Sequence, residues 1–289
     1  MLLSPAEKSY LYESLISDPI IRPDSRSNHQ YRPLEAKTSF LPGSNGSSRI
    51  RLSDGSECII SIKTKVVKLV EESNLIDLDI DIVGYRDDSN YISNLKFQLL
   101  NLLNENFEFE ILKLTEQYSF KLFIDCIIIN NLSYPLSLLS LSIYLALKTT
   151  RLPLLISETN DEEIAELPTF SDDWNDSKYL IELSKNGKFQ PPIFITLGII
   201  GNNLIFDPSQ EEETVLENGL IISFYNNKVI TPISNTNFAL NSNNSNFKGL
   251  NKKIIIGALS LGNKYCPIIL EALDNLIEED INDNDGNMF

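Results

Sequence analysis

Apolar and polar positions in the first half of the chain predict a helix, then strands, then a second helix. Ser4-Pro5-Ala6-Glu7 has the form of a capping box with proline at the first helical position, which predicts a short helix. Residues 37–70 predict strands joined at tight turns, and Ile76–Ile82 alternates strictly between apolar residues and aspartates. That alternation predicts a strand with one buried and one solvated face. Residues 92–103 have helical periodicity.

The second half predicts a buried strand and helix, then more strands and a long helix. Residues 118–129 are almost continuously apolar, which predicts a strand buried on both faces, and residues 136–147 predict an apolar helix ending near Lys148. Asn226-Asn227 has the composition of a hairpin turn. The other predicted elements are strands at 193–200, 203–206, 219–225 and 228–233, and an amphipathic helix at 252–276. Strand groups alternating with helices in two halves predict an α+β fold of two βαβ-type lobes.

We expect one large domain over residues 1–276. It contains a flexible Asn/Ser-rich insertion at about 237–251 and is followed by an acidic, disordered tail at 277–289. Asp77, Asp79 and Asp81 suggest metal ligands at first sight. Alternate strand positions point the same way without converging, so solvated outer-face residues are the favoured interpretation.

Charge is distributed unevenly over the 289 residues. The formal net charge is −16, which argues against an autonomous nucleic-acid binder. Residues 1–68 nevertheless carry +3 and the remainder −19, and five of the seven arginines lie in the first block. Two interpretations stay open: a solvated face, or a local basic surface that faces RNA or an acidic partner.

Cysteine and histidine usage offers no metal or catalytic constellation. Cys58, Cys126 and Cys266 are odd in number and lack metal-ligand spacing, so we expect buried free thiols in a reducing compartment. His29, the only histidine, is expected at a surface or turn. The early charges of the N-terminus do not fit a signal peptide, and the apolar runs are too short to span a bilayer. We therefore expect a soluble intracellular protein with no membrane association.

Five segments, taken in order, resemble one family. They are IRPDSRSNHQYRP at 21–33, GSNGSSR at 43–49, DGS at 54–56, FKLFIDCIII at 120–129 with PLSLLSLSIYLALKTTRLP from Pro135, and FDPSQEEETVLENGLIISF at 206–224. From about Ser4 to about Leu276 the chain resembles the RNase PH family of phosphorolytic 3′→5′ exoribonucleases. It is most similar to the non-catalytic PH-type ring subunits of the eukaryotic, fungal RNA exosome. The resemblance implies an RNase PH-like fold, of the ribosomal protein S5 domain 2-like type.

The resemblance also implies where the family's phosphate loop would lie and that its chemistry is missing there. Active members carry a Gly-Gly-Thr-Arg turn where this chain has Ser133-Tyr134-Pro135-Leu136. Proline has no N–H to donate, and Leu136 stands at the position of the phosphate-binding arginine.

The family's pair of aspartates six residues apart, linked to a divalent cation, corresponds here to Glu212 and Asn218. Asparagine is neutral and a weaker ligand for a hard cation. We expect residues 211–213 to form a solvated acidic loop in preference to a metal site. The resemblance therefore implies no catalytic residue, no metal and no cofactor.

Two residues are candidates for RNA contact. Family members carry arginines four residues apart on the helix after the alternating strand, and the matching positions here are Asn94 and Gln98, with Lys96 between them on another face. Arg22, Arg26 and Arg32 belong to the N-terminal signature. For these three we favour a structural role, in which they pair with acidic residues or carbonyls at a subunit boundary.

The implied function is that of a structural subunit of a six-membered ring. Such a subunit supports rRNA maturation, RNA surveillance and mRNA turnover, in the nucleus, nucleolus and cytoplasm. Its partners would be other PH-type ring subunits, S1/KH cap proteins and RNA that passes through the assembled ring. The alternative is an active phosphate-dependent 3′→5′ exoribonuclease.

Overall fold

Strands and helices follow one another in nearly the order that the hydrophobic pattern predicts. The structure, a computed structural model, describes residues 3–156, 168–184, 187–236 and 250–286. The first elements are α1 (Pro5–Ile16), β1 (Leu34–Thr38), β2 (Gly46–Leu52), β3 (Glu57–Lys68), β4 (Ile76–Ile82), α2 (Asn90–Asn106), β5 (Tyr118–Asn130) and α3 (Leu136–Lys148). They are followed by β6 (Arg151–Leu152), β7 (Lys178–Tyr179), α4 (Leu180–Leu183), β8 (Ile193–Ile200), β9 (Asn203–Phe206), α5 (Gln210–Glu213), β10 (Asn218–Tyr225), β11 (Lys228–Thr236) and α6 (Lys252–Gly286).

Two sheets organise these elements. The N-terminal sheet has the strand order β1-β2-β3-β5-β4, and the C-terminal sheet has the order β11-β10-β8-β9. Neighbouring strands are antiparallel except β4 and β5, which run parallel and are connected through α2 as a βαβ unit. A small third sheet pairs β6 with β7.

Helix α3 lies between the two sheets. Its residues from Leu136 to Leu147 are all buried, and it contacts β2 and β3 on one side and β8 on the other. A helix that is apolar on all sides requires apolar surroundings everywhere, which explains its central place. Ser48 donates a hydrogen bond to the Ser142 carbonyl (2.7 Å), and the Phe194 N–H donates to the Ser140 hydroxyl (2.7 Å). Each sheet is therefore fastened to the helix.

Helix α1 begins as predicted. Ser4 is its N-cap, and Ser4 and Glu7 form both hydrogen bonds of a capping box. Leu11 and Leu15 are buried, and they form a second apolar cluster with residues of the C-terminal sheet, among them Ile200. The hairpin turn at Asn226-Asn227 is confirmed as well, because both residues have positive φ (49° and 60°).

The prediction for β4 is confirmed, and the prediction for β5 is half wrong. In β4 every isoleucine and leucine is buried and every aspartate is exposed. In β5 only one face is buried: Asp125, Ile127 and Ile129 on the other face are exposed. The continuous apolar run predicted burial on both faces, but α2 and α3 cover only one side of the N-terminal sheet. Lys96 of α2 contacts Asp79 at 3.4 Å.

Helix α6 is longer than its predicted end at Leu276. It continues through the predicted disordered tail to Gly286, so a boundary at 276 falls inside a helix. Asp280 gives the added turns an anchor, because its Oδ2 accepts hydrogen bonds from the N–H and the hydroxyl of Thr38, both at 2.6 Å. The predicted insertion at 237–251 lies outside the described residues, apart from its last two positions.

By length and composition alone, α6 also satisfies the requirements for crossing a membrane over Lys252–Asp280. A core helix of a globular protein passes the same test. In α6 the side chains of Ala258, Cys266, Leu270 and Leu273 are buried in the main core.

Candidate functional site

The most densely charged part of the protein is buried where segment 22–32 meets the start of α5. Arg22 donates from Nε to Glu212 Oε1 and from Nη2 to Glu212 Oε2, both at 2.7 Å. Both side chains are fully buried. Arg22 also donates to the carbonyls of Phe206 (3.1 Å) and Asp207 (3.2 Å). A planar guanidinium satisfies a carboxylate at two points, and this geometry makes the pair a single rigid unit.

Asp207 is the second centre of this network. Arg32 donates to it three times, from its backbone N–H (2.9 Å), from Nε (2.9 Å) and from Nη2 (2.6 Å). Arg26 Nη1 lies 3.3 Å from the same carboxylate. Asp24 and Asp54 complete the network as partners of Arg26 and Arg32. The predicted role for the three arginines, pairing with acidic residues and carbonyls, is confirmed; their place at a subunit boundary stays a prediction.

The buried network shows which arginines of residues 1–68 are not part of a basic surface. Arg22, Arg26 and Arg32 are 2%, 8% and 6% exposed, so they do not form a basic surface for RNA. Arg51 is exposed on β2, and Arg49, whose side chain is 41% exposed, pairs with Glu57. Any basic surface of the first block therefore belongs to the N-terminal sheet and not to the signature segment.

The prediction of a solvated acidic loop at 211–213 is wrong for two of its three residues. Only Glu211 is exposed; Glu212 and Glu213 are 0% and 7% exposed. Ser209 and Glu212 form a capping box that begins α5 and turns Glu212 inward. The Ser-x-x-Glu spacing was visible in the sequence and was the signal for this helix.

Glu213 connects α5 to the segment that the family resemblance assigns to phosphate. Its Oε1 accepts a hydrogen bond from the Tyr134 N–H at 2.7 Å. Burial raises the pKa of the Glu213 carboxyl to about 8. Beyond Tyr134, Pro135 is the N-cap of α3, and Leu136 is fully buried. The Tyr134 N–H is therefore already engaged by the chain's own Glu213.

Glu212 and Asn218, which correspond to the family's acidic pair, are both buried but do not form a cation site. Glu212 is held by Arg22, and Asn218, the first residue of β10, is buried and neutral. Its neighbour Glu217 accepts from the Tyr12 hydroxyl (2.6 Å) and from the Gly201 N–H (3.1 Å). In the described ranges no group of three or more His, Cys, Asp or Glu residues is arranged to hold a metal. These residues do not fit the divalent cation that the family resemblance implies for active members.

The two candidate RNA contacts lie on α2 in different environments. Asn94 is exposed. Gln98 is half-buried, and its Oε1 is buried with no hydrogen-bond partner among the residues that the structure describes. Phe97 between them is 65% exposed. This arrangement leaves the RNA contact a prediction.

His29 lies in a turn, as predicted, and its ring is partly enclosed. Its ring stacks on Tyr265 of α6 at 4.9 Å between centroids and meets the edge of Phe206 at 5.5 Å. Burial, with a contribution from Lys264, lowers the pKa of His29. All three cysteines are buried and unpaired, as predicted.

Solved structures identify the fold class. The chain matches the archaeal exosome core with a TM-score of 0.65 and 16% identity, over 92% of this chain and 96% of that one. The Archaeoglobus fulgidus exosome with RNA bound to the active site gives the same values. Rice Rrp46 matches with a TM-score of 0.61 and 13% identity, over 89% of this chain and 100% of that one. The fold is therefore the RNase PH-like fold of exosome core proteins.

Curated relatives identify the particular family. Exosome complex component RRP42 of Saccharomyces cerevisiae is 46% identical over 278 residues, which cover 96% of this chain and all of the relative. Exosome complex component rrp42 of Schizosaccharomyces pombe is 33% identical over 230 residues, 75% of this chain and 76% of the relative. A scan against models of protein families finds no match. The chain belongs to the Rrp42 family of exosome complex components.

Proposed function

We propose that this exosome component is a non-catalytic subunit of the PH-type ring. It contributes to the wall of the RNA channel, docks neighbouring ring subunits and S1/KH cap proteins, and supports 3′→5′ RNA processing and degradation. Its substrates would be those of rRNA maturation, RNA surveillance and mRNA turnover, in the nucleus, nucleolus and cytoplasm. No cofactor is needed for this role.

The buried pairing of Glu212 with Arg22 is the observation that carries the non-catalytic proposal. A carboxylate that coordinates a cation needs free oxygen lone pairs. Both oxygens of Glu212 accept from the same guanidinium at 2.7 Å. Release of this carboxylate would leave a buried arginine uncompensated, which costs about 3–5 kcal/mol.

The segment around Tyr134 supports the proposal independently. Phosphorolysis requires inorganic phosphate to be held by positive charge and N–H donors. Here Leu136 replaces the arginine, Pro135 has no N–H, and the Tyr134 N–H already donates to Glu213. The alternative, an active phosphorolytic exoribonuclease, is favoured only by the fold that the chain shares with the exosome core.

An activity assay tests the non-catalytic role. The purified chain is incubated with single-stranded RNA, inorganic phosphate and Mg²⁺, beside an active phosphorolytic exoribonuclease as positive control. We expect no release of nucleoside diphosphates. Phosphate-dependent release that follows the chain through purification would establish the alternative.

A reconstitution assay tests the structural role. Purified PH-type ring neighbours from the same organism are mixed with the chain at micromolar concentration. We expect a complex on gel filtration and a higher melting temperature of the chain, because a ligand that binds only the folded state stabilises it. An unchanged melting temperature without complex formation would contradict the structural role.

A further inference from the structure

The N-terminal sheet has one face that no element of the described chain covers. Its inner face packs on α2 and α3, and its outer face carries the side chains of β5 that were expected to be buried. Ile127 and Ile129 are 43% and 46% exposed there. Strands with continuous apolar runs are normally buried on both faces. The outer face of β5 thus carries two exposed isoleucines next to each other along the strand, together with the charged residues Lys121 and Asp125.

The outer face has an ordered distribution of charge. The strand registers place one row straight across all five strands, in the order Lys37, Arg49, Ile59, Ile127 and Asp81. The row spans roughly 19 Å, four strand spacings of about 4.8 Å. It begins with two cations, has two isoleucines in the middle and ends with an anion.

Neighbouring positions reinforce both ends of this row. Arg51 extends the cationic end along β2, although Glu35 lies opposite it on β1. Asp125 lies beside Asp79 in the parallel pairing of β5 with β4, and both are exposed. Asp77 on the same face of β4 is exposed as well. One edge of the face is thus mainly cationic and the other is anionic. Between them the central strands carry Ile59, Ile127 and Ile129 together with the exposed Lys63 and Lys65 of β3.

We propose that the outer face of the N-terminal sheet, defined by Lys37, Arg49, Ile59, Ile127 and Asp81, is a docking surface for a neighbouring protein subunit of the exosome. This inference rests on the proposed structural function. The partner surface has an aliphatic centre, acidic residues against the β1–β2 edge and basic residues against the β4 edge. Opposite charges at the two ends allow only one orientation, so the gradient specifies register while the isoleucines supply the buried area.

Two other occupants fit the charges less well. RNA would meet four exposed aspartates, Asp77, Asp79, Asp81 and Asp125, and would be repelled at that edge. A second copy of the chain would complement the gradient across a two-fold axis, but each copy carries a net charge of −16 and the two would repel.

The buried cysteines make a direct test possible. Cys58, Cys126 and Cys266 are buried, and burial raises the pKa of Cys58 and of Cys266 to about 12, so these native thiols react poorly. Ile127→Cys would therefore add the one accessible thiol among the described residues. Ile129→Cys is a second variant on the same face in case the first does not fold. A maleimide probe is applied to the free chain and to the exosome core reconstituted with the variant.

We expect rapid labelling of Ile127→Cys in the free chain and loss of labelling in the assembled core. Equal labelling in both states would overturn the docking surface while leaving the structural role intact, because the chain would still be in the core. Absence of the variant and of the wild-type chain from the core would instead contradict the proposed function. Protection in the free chain, with a dimer on gel filtration, would replace the proposed partner by a second copy.

Charge reversal provides the matched test of orientation. Asp81→Lys is expected to reduce incorporation of the chain into the core. Asp172→Lys, which reverses an exposed aspartate outside the strands of the N-terminal sheet, is expected to leave incorporation unchanged. Equal losses in both variants would show that overall acidity matters and the face does not, and would overturn the proposal.

Discussion

Arg22 and Glu212 are 190 residues apart in the sequence and form a two-point ion pair of 2.7 Å, with both side chains fully buried. The pair joins the N-terminal signature segment to the helical turn that follows β9. It uses the one carboxylate of the family's acidic pair that this chain retains. Glu212, which the family resemblance matches to one residue of an acidic pair, therefore joins two segments that are distant in the sequence.

Removal of either partner should be strongly destabilising. Arg22→Ala leaves the buried Glu212 carboxylate with only the Ser209 N–H (2.8 Å) and the more distant Arg26 guanidinium (3.8 Å). We expect a loss of about 3–5 kcal/mol in the free energy of unfolding. Chemical denaturation of the purified chain measures this loss. Arg86→Ala is the matched control, because Arg86 and Asp88 form a pair whose side chains are 86% and 71% exposed. A similar loss in both variants would show that the buried pair has no special role.

Stability should depend on pH through Glu213. Burial raises the pKa of its carboxyl from 4.5 to about 8. Between these values the folded chain holds a proton that the unfolded chain has released, so the free energy of unfolding falls as pH rises and levels off above about pH 8. Glu213→Gln cannot ionise, and its amide oxygen can still accept from the Tyr134 N–H.

Urea denaturation at pH 5 to 9 measures how much Glu213 contributes to the pH dependence of the free energy of unfolding. We expect the stability of Glu213→Gln relative to wild type to increase with pH over this range. Glu211→Gln at the exposed neighbouring position should follow wild type. Parallel curves for wild type and Glu213→Gln would mean that this carboxyl ionises normally in the folded protein.

Gly46 should not tolerate a side chain. A Cβ at this position would lie 2.2 Å from Thr150 Oγ1 and 2.7 Å from the Ala146 carbonyl at the end of α3. We expect Gly46→Ala to lower the free energy of unfolding by about 1–3 kcal/mol through overpacking. Gly43→Ala is the control, since nothing lies within 4 Å of a Cβ there. Wild-type stability of Gly46→Ala would show that β2 and α3 can separate at low cost.

The acidic end of α6 should contribute to stability. Asp280→Ala removes the acceptor of both hydrogen bonds from Thr38, and we expect a loss of about 1–3 kcal/mol because the part-buried donors lose their partner. Glu278→Ala changes an exposed residue two positions away and should have little effect. Thermal unfolding distinguishes the two. Unchanged stability of Asp280→Ala would show that the residues beyond Leu276 do not stabilise the fold through Thr38.

Restoration of one acid should not create an enzyme. In Asn218→Asp the carboxylate pair would be complete in sequence, but Glu212 would still be bound to Arg22, and Leu136 would still stand in the phosphate segment. We expect no phosphate-dependent release of nucleoside diphosphates. Release above the wild-type background would mean that phosphorolysis at this site does not require the arginine that Leu136 replaces.

Local patterns in the sequence determined most of the secondary structure and the fold class. The capping box at Ser4, the alternation of β4 and the Asn226-Asn227 turn depend on residues within a few positions of one another, and each is present as predicted. Ser209 with Glu212 is a local signal of the same kind, and it marks the start of α5. Five segments in order were also enough to indicate the RNase PH-like fold.

Only the tertiary structure decided which of these residues are buried and what they contact. Glu212, Glu213 and Asp207 are acidic residues beside a loop, and nothing local distinguishes them from a solvated run. Glu212 and Asp207 are buried where Arg22, Arg26 and Arg32 pair with them from about 180 residues away. Glu213 is buried where it accepts from the Tyr134 N–H. The exposed face of β5 was missed for a different reason. A nearly continuous apolar run predicts burial on both faces, and only the tertiary structure shows that α2 and α3 cover one of them.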